Sequence, residues 1–513
     1  MKRLLLLLQF TSRAVSWSHT ERDGAHTRPE ITWTTPCANG LDAKFPAGVE
    51  CGTLSVPIDH GHAHEGSFNL AIFRLKANGT GPARSLFFNT GGPGGAASTW
   101  FEAMKRGGQL WSNKMLANYD IIGVDPRGMG YSNPIVCDPD IFNTKPQLLD
   151  SGDNVGFAKT LAFNKAFGKS CLDKTGMLIQ FMDSVSTIKD FELVRQALGS
   201  DKFHYYGMSY GTVLGQTYAE LFPDKVGRMV LDGAVDRRSS GIDSVMAEAV
   251  TYQANLLKFF EWCDTDPNCA LNGRDVRGVF SNLTAKGSVL PANCSAAAPC
   301  RAQVTGEDII WNFQPALVSP DPLPALGLPG RVLLSEVLAQ AAQGNATLFS
   351  IPLARVNRSA DTARYSYYAV ACQDYGTALK TATDVRRALY VGATLTPWNK
   401  GVCEFLDIAI TCIGWPTKLT NPPRALDPAR MAKLPGPPQA AAAVLIVNAF
   451  FDPETSPMWA TGLREQIPNG AAVNLWRNGT GHTSYFLHGD TSTAIDNFLV
   501  DGTLPADDTV LQS

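Results

Sequence analysis

The chain has 513 residues, 44% of them hydrophobic and 18% charged, with 46 Gly and a formal net charge of −3. This is an ordinary globular composition with material for a large core, sized for two or three domains or for one α/β domain carrying a large insertion. With no basic stripe and no long run of one sign, nucleic-acid binding and electrostatic attachment to a membrane are excluded.

At the amino terminus, Lys2-Arg3 precedes the apolar stretch Leu4–Phe10, and the small-residue site Ala14-Val15-Ser16 follows. That order predicts a secretory signal peptide over residues 1–18, too short to span a bilayer. No other run is long and apolar enough to cross one, so no stable membrane association is expected. Eleven cysteines fit an oxidising compartment and an extracellular destination. Cys263 with Cys269, and Cys294 with Cys300, are close enough in sequence for local disulfides; Cys37 with Cys51 and Cys137 with Cys171 are further candidate pairs. Cys372, Cys403 and Cys412 compete for one bridge, and the odd total leaves a free thiol. Zinc is disfavoured because no C-x-x-C occurs and no His stands at ligand spacing from these cysteines. Six glycosylation sequons occur, at Asn78, Asn282, Asn293, Asn345, Asn357 and Asn478, with Cys294 making Asn293 a poor acceptor.

Apolar β-rich runs then alternate with helical patterns, which predicts a mostly parallel central sheet flanked by helices. Expected strands are Phe68–Leu75, Ser85–Asn89, Tyr119–Val124, Lys202–Tyr206, Gly227–Asp232, Ala443–Ala449 and Ala472–Trp476. Helices are expected over Ile188–Leu198, Thr212–Phe222 and Ile495–Val500. From 236 to 365 the chain is helical and loop-rich, as an inserted cap would be, between core segments 19–235 and 366–513; Cys403–Gln439 is irregular and Pro-rich.

Gly207-Met-Ser-Tyr-Gly211 sits between the strand 202–206 and the helix 212–222, the strand–turn–helix context of a nucleophile elbow with Ser209 at its apex. A serine hydroxyl needs a general base, and the base needs an orienting group. Only two of the eight histidines, His482 and His488, follow Ser209. His482, in a Gly-flanked loop directly after the strand 472–476, is the expected base; His488 is read as a surface residue. Asp452, in the loop after the strand 443–449, is the expected acid, with Glu454 as the alternative and a helix cap as its structural reading. The long separation between serine and acid is the inserted cap. The backbone N–H groups of Tyr210 and of Gly92, in Gly91-Gly-Pro-Gly-Gly95, are the expected oxyanion donors. That loop lacks the Lys of a phosphate-binding motif, and neither a cofactor nor a metal is called for. Asp125-Pro-Arg-Gly-Met-Gly is read as a structural turn with Arg127 bonding neighbouring carbonyls or carboxylates, and the histidines of His60–His64 as adventitious.

Together these segments resemble the α/β-hydrolases of the proline iminopeptidase and tripeptidyl aminopeptidase group. The group's H-G-G-P-G loop stands here as Thr90–Gly94, with Thr for His; its D-x-R-G-x-G-x-S turn as Asp125–Ser132; its D-P-x-T-P segment as Asp452–Pro457. Ala371-Cys-Gln-Asp374 and Cys412-Ile-Gly-Trp-Pro416 are similar to its cap-to-core junction. The resemblance covers most of residues 50 to 490. It implies an α/β-hydrolase fold, a Ser209–Asp452–His482 triad, and an acidic residue, matched here by Asp374, that meets the free amino terminus of a peptide. The expected activity is that of a secreted serine hydrolase releasing residues from peptide amino termini. The same machinery on an ester, lactone or thioester is the alternative, and a catalytically dead binding module the third reading.

Overall fold

β4 (Arg84–Asn89), β5 (Tyr119–Val124), β6 (Phe203–Met208) and β7 (Val226–Asp232) are short apolar runs whose central side chains are buried on both faces. Such runs belong in the middle of a parallel sheet covered by helices. They pair parallel with one another, and β7 continues through β10 (Val444–Phe451), β11 (Ala472–Thr480) and β12 (Thr509–Gln512). On the other side β5 meets β3 (Ser67–Leu75), then β2 (Val49–Pro57) and β1 (Thr32–Thr34), all antiparallel. The ten-stranded order is β1-β2-β3-β5-β4-β6-β7-β10-β11-β12. The structure, a computed structural model, describes residues 28–512 apart from 36, 38–42, 240, 296–299, 351–361, 377–378 and 437–442. The expected signal peptide and the Asn357 sequon lie outside the described residues. Of the other sequons, Asn78, Asn282, Asn293 and Asn478 are exposed and Asn345 is half-buried.

The inward faces feed two clusters, one on each side of the sheet. One gathers Phe87, Ile122, Tyr205 and Leu231 with the helix Ser184–Leu198; the other gathers Phe88, Tyr206, Val447 and Leu475 with the helix Asp490–Asp501. Between β7 and β10 the chain leaves the sheet, carrying helices from Ile242–Thr265 to Pro428–Met431 and a small antiparallel ribbon, β8 (Val289–Pro291) with β9 (Gln303–Thr305). The helical excursion therefore runs past residue 365, because the described residues between 366 and 436 contribute helices rather than strands. The helix Thr362–Asp374 lies on the Gly-rich loop, with the Tyr367 nitrogen 2.9 Å from where a Cβ on Gly94 would sit.

Five disulfides are present: Cys37–Cys51, Cys137–Cys171, Cys263–Cys269, Cys294–Cys300 and Cys372–Cys412. The contest among three cysteines resolves with Cys403 as the free, buried thiol. No helix of the described residues is long and apolar enough to cross a membrane.

The Asp125 turn is held by two buried charges. Asp125 accepts hydrogen bonds from the Ser98 and Tyr131 backbone nitrogens and from Ser98 Oγ. Arg127, wholly buried, donates to both oxygens of Asp190 and to the carbonyls of Ile58, Phe181 and Pro57. His60 Nε2 lies 2.8 Å from the same Asp190, while His62 pairs with Asp59 and His64 is exposed. Removing the guanidinium leaves Asp190 buried without its main partner. Arg127→Ala is therefore expected to cost about 3–5 kcal/mol of stability, read as a lower denaturation midpoint.

Candidate active site

Ser209 occupies the turn between β6 and the helix Tyr210–Leu221, with φ 54° and ψ −122°. A non-glycine residue at positive φ is held there at a cost of order 1–3 kcal/mol, so the surroundings must enforce it. They do: the Ser209 nitrogen donates to the Asp232 carbonyl, and Ser209 O accepts from the Thr212 nitrogen and Oγ1. The flanking glycines are required by crowding, since a Cβ on Gly207 would stand 2.5 Å from the Gly211 carbonyl oxygen. Tyr210 is the first residue of the helix, where backbone N–H groups have no partner within the helix and carry its partial positive charge. Gly91 packs against the elbow, its absent Cβ only 3.0 Å from Ser209 Cβ and 3.2 Å from the Tyr210 nitrogen. The Gly91 nitrogen is committed to Asn89 Oδ1. Gly92 is next in the loop, at φ 111°, a conformation open to glycine.

Two further loops deliver an acid and an imidazole. His482 follows β11 and is 9% exposed; Asp452 follows β10 and is wholly buried. His482 Nδ1 lies 2.9 Å from each oxygen of Asp452. The carboxylate is fixed by the Glu454 and Thr455 nitrogens and by Thr455 Oγ1, each at 2.8 Å. The following helix, Pro457–Glu465, is capped by Ser456, so Asp452 does not serve it as a cap. Burial would raise the Asp452 carboxyl, but the His482 attraction and these hydrogen bonds win and hold it below the ordinary range. Asp232, at the end of β7, ties the loops together: its Oδ2 accepts from Tyr206 OH and from the Ser484 and Tyr485 nitrogens, while its carbonyl holds the elbow.

The other imidazole nitrogen has an unexpected neighbour. His482 Nε2 lies 3.2 Å from Glu454 Oε2, so the ring is gripped from both sides. Burial pulls the imidazole down, yet Asp452 and then Glu454 outweigh it and place it at about 9. Burial also raises Glu454 itself and two glutamates close enough to feel its charge, Glu248 (to about 8) and Glu404 (well above the ordinary range). Sequence order offered Glu454 only as a substitute acid. Glu248 and Glu404 carry no local signal, because they come from distant helices of the excursion.

Beside His482 opens a cavity of about 300 Å³ lined by Met208, Thr90, Trp100, Val318, Leu326 and Phe486, among others. Thr90, standing where the resembled group has His, points no hydrogen bond at any described residue. Asp374, expected to meet a substrate amine, is placed elsewhere. It is 4% exposed, and its oxygens accept from the Ser184 nitrogen and Oγ, from Tyr210 OH and from Asn421. With its oxygens engaged behind Tyr210, it braces the elbow and is not available to a ligand. His488 is exposed, as expected of a surface residue.

Family profiles match two long segments of the chain. A profile described as the α/β hydrolase fold matches residues 85–313, and one described as TAP-like protein matches residues 403–511. The chain is a TAP-like α/β hydrolase. Among characterised relatives of this TAP-like hydrolase, a tripeptidyl aminopeptidase from Streptomyces lividans is 33% identical over 250 residues, which is 47% of this chain and 44% of that one. The matched stretch thus spans less than half the length of that relative. Serine protease Hip1 from Mycobacterium tuberculosis is 28% identical over 93% of this chain and 89% of its own. Carboxylesterase B from the same species is 27% identical over the same shares.

Proposed function

We propose that this TAP-like hydrolase is a secreted serine aminopeptidase that releases residues or short peptides from amino termini through an acyl-enzyme. The reading is supported by the buried Asp452–His482 pair and by a serine at positive φ on a helix amino terminus, the two loops being tied through Asp232, which bonds both Ser209 N and Ser484 N. In this mechanism Ser209 Oγ attacks the scissile carbonyl carbon while its proton passes to His482 Nε2. The Tyr210 and Gly92 N–H groups hold the oxyanion. Collapse of the intermediate breaks the C–N bond, and Nε2 returns the proton to the leaving amine. Water then repeats the cycle on the ester. Asp452 fixes the ring with Nδ1 protonated and offsets the positive charge that forms on it. Five disulfides support an oxidising destination.

An ester-cleaving variant of this chemistry is the second reading, supported by the apolar cavity beside His482 and by the relative named Carboxylesterase B. A panel of aminoacyl and tripeptidyl anilides, each unblocked and acetylated, beside short-chain esters separates the two. Turnover of the unblocked anilides with loss on acetylation is the expected result; activity confined to esters would sink the peptidase reading. A fluorophosphonate probe is expected to label wild type at Ser209, which removes the inactive-module reading.

A further inference from the structure

The grip on His482 creates a difficulty for any base mechanism, and the difficulty points to a use. Nε2 is the nitrogen that must take the serine proton, yet Glu454 Oε2 lies 3.2 Å from it. An imidazole between two carboxylates keeps its proton, because each charge favours the imidazolium. The surroundings do not relieve this. From the neighbouring elements, Asp232 on β7, Glu248 on the helix Ile242–Thr265 and Glu404 on the helix Glu404–Thr411 bring further carboxyl groups toward the pair. Arg477 on β11 is close enough to feel Asp232 and Asp452, but its guanidinium is taken by the carbonyls of Thr480, Gly481 and Thr483. Arg106, across the apolar cavity, donates to the Ala325 carbonyl. Among the described residues no lysine or arginine pairs with Glu454.

A second observation is a buried acceptor left unmet next to the cluster. Gln314, 1% exposed, turns its Nε2 to two acceptors, Glu248 Oε1 at 2.8 Å and the Pro453 carbonyl at 3.0 Å. Those contacts fix which end of the amide is which. Its Oε1 is left buried without a partner among the described residues, beside the backbone that carries Glu454. A buried unmet acceptor costs about 1–3 kcal/mol, which an incoming N–H group would remove.

We propose that Glu454 is the specificity-determining residue of this site: it occupies His482 Nε2 in the resting protein and hands the imidazole over to Ser209 only when a substrate amine takes its carboxylate. The inference rests on the Ser209–His482 reading given above. The proton account closes without a co-reactant. A peptide amino group has an ordinary pKa of about 7.7–8.0, so a fraction arrives neutral near pH 7. It accepts the proton from Nε2, an N–H bond breaking on the ring as one forms on the amine. The product is an ammonium paired with Glu454 and a neutral imidazole free for the serine. Substrates without an amine leave the lock in place, so the residue that blocks the base also selects unblocked chains.

The test uses the full chain and two readouts. The first is the rate of fluorophosphonate labelling at Ser209 against pH, which needs no substrate amine. In wild type it should rise with pH around the imidazole's value of about 9. In Glu454→Gln the rise should move down by about 1–3 pH units, the effect of removing one nearby opposite charge. The second is the ratio of kcat/KM for an unblocked aminoacyl anilide, whose amine adjoins the scissile carbonyl, to its acetylated form, which should fall at least about tenfold in the variant, the worth of roughly one charged hydrogen bond. A labelling profile that stays put, or a ratio that stays put, overturns the proposal. Should Glu454→Gln fail to fold, Glu454→Met, an apolar replacement of similar length, carries the same two expectations. Absence of labelling at Ser209 in wild type would instead overturn the underlying triad reading.

Discussion

Ser209→Ala is expected to lower kcat by about 10⁶-fold, leaving only the slow background that oxyanion donors and binding supply. The size follows from chemistry that no neighbour can replace. The backbone at φ 54° aims one Cβ substituent out of the turn, and the residues either side of it, Met208 and Tyr210, are buried. Alanine keeps the Cβ and therefore the same backbone strain, so the thermal unfolding temperature should scarcely change. A small drop in turnover with intact folding would show that the reacting group is not this hydroxyl. Steady-state kinetics on whichever substrate the panel identifies, with fluorophosphonate labelling alongside, provides the measurement.

The second large effect is expected at Asp452→Asn, about 10⁴-fold in kcat. Both Asp452 oxygens accept, one from Glu454 and Thr455 nitrogens and the other from Thr455 Oγ1, and both lie 2.9 Å from His482 Nδ1. An amide in that position turns an NH₂ toward one of these partners. If it faces the ring, the imidazole must present an unprotonated Nδ1, which puts the proton on Nε2 where the serine's should go. The variant also leaves Glu454 as the sole carboxylate touching the ring, so the two acids can be told apart. Loss in Asp452→Asn, with chemistry retained in Glu454→Gln, fits Asp452 as the orienting group; the reverse pattern would exchange their roles.

The parts of this molecule legible in the sequence are those encoded over short stretches. β5 was readable from Tyr119–Val124 alone, because a run buried on both faces needs no partner to declare itself. The elbow was readable because a strained turn demands glycines at fixed offsets. The loops after β10 and β11 followed from chain order. What stayed hidden depends on contacts between distant segments. β2 pairs with β3 over nine residues, but its Val49-Glu-Cys-Gly-Thr run mixes polar and small residues that look like a loop until the partner strand is in place. The choice of Cys412 over Cys403 as the partner of Cys372 is set by how the helices Thr362–Asp374 and Glu404–Thr411 cross. Asp374 sits on a motif resembling a substrate-binding position, yet its surroundings turn it into a brace for Tyr210. The approach of Glu454 to Nε2 required the rotamers of two loops together.

The strand that ends at Asp232 and the strand that begins at Val444 are hydrogen-bonded neighbours, with Met229 opposite Val444 and Asp232 opposite Val447. Because the two strands run parallel, the intervening excursion departs at the carboxyl end of one and re-enters three residues back on its neighbour, roughly 10 Å along the ladder and about 5 Å across it. Selection can lengthen, prune or rebuild such a graft while the ladder beneath keeps its register. The imidazole and its orienting carboxylate arise from chain laid down after that graft, and the serine from chain before it. New substrates can thus be tried out above a reaction centre whose own parts need not change.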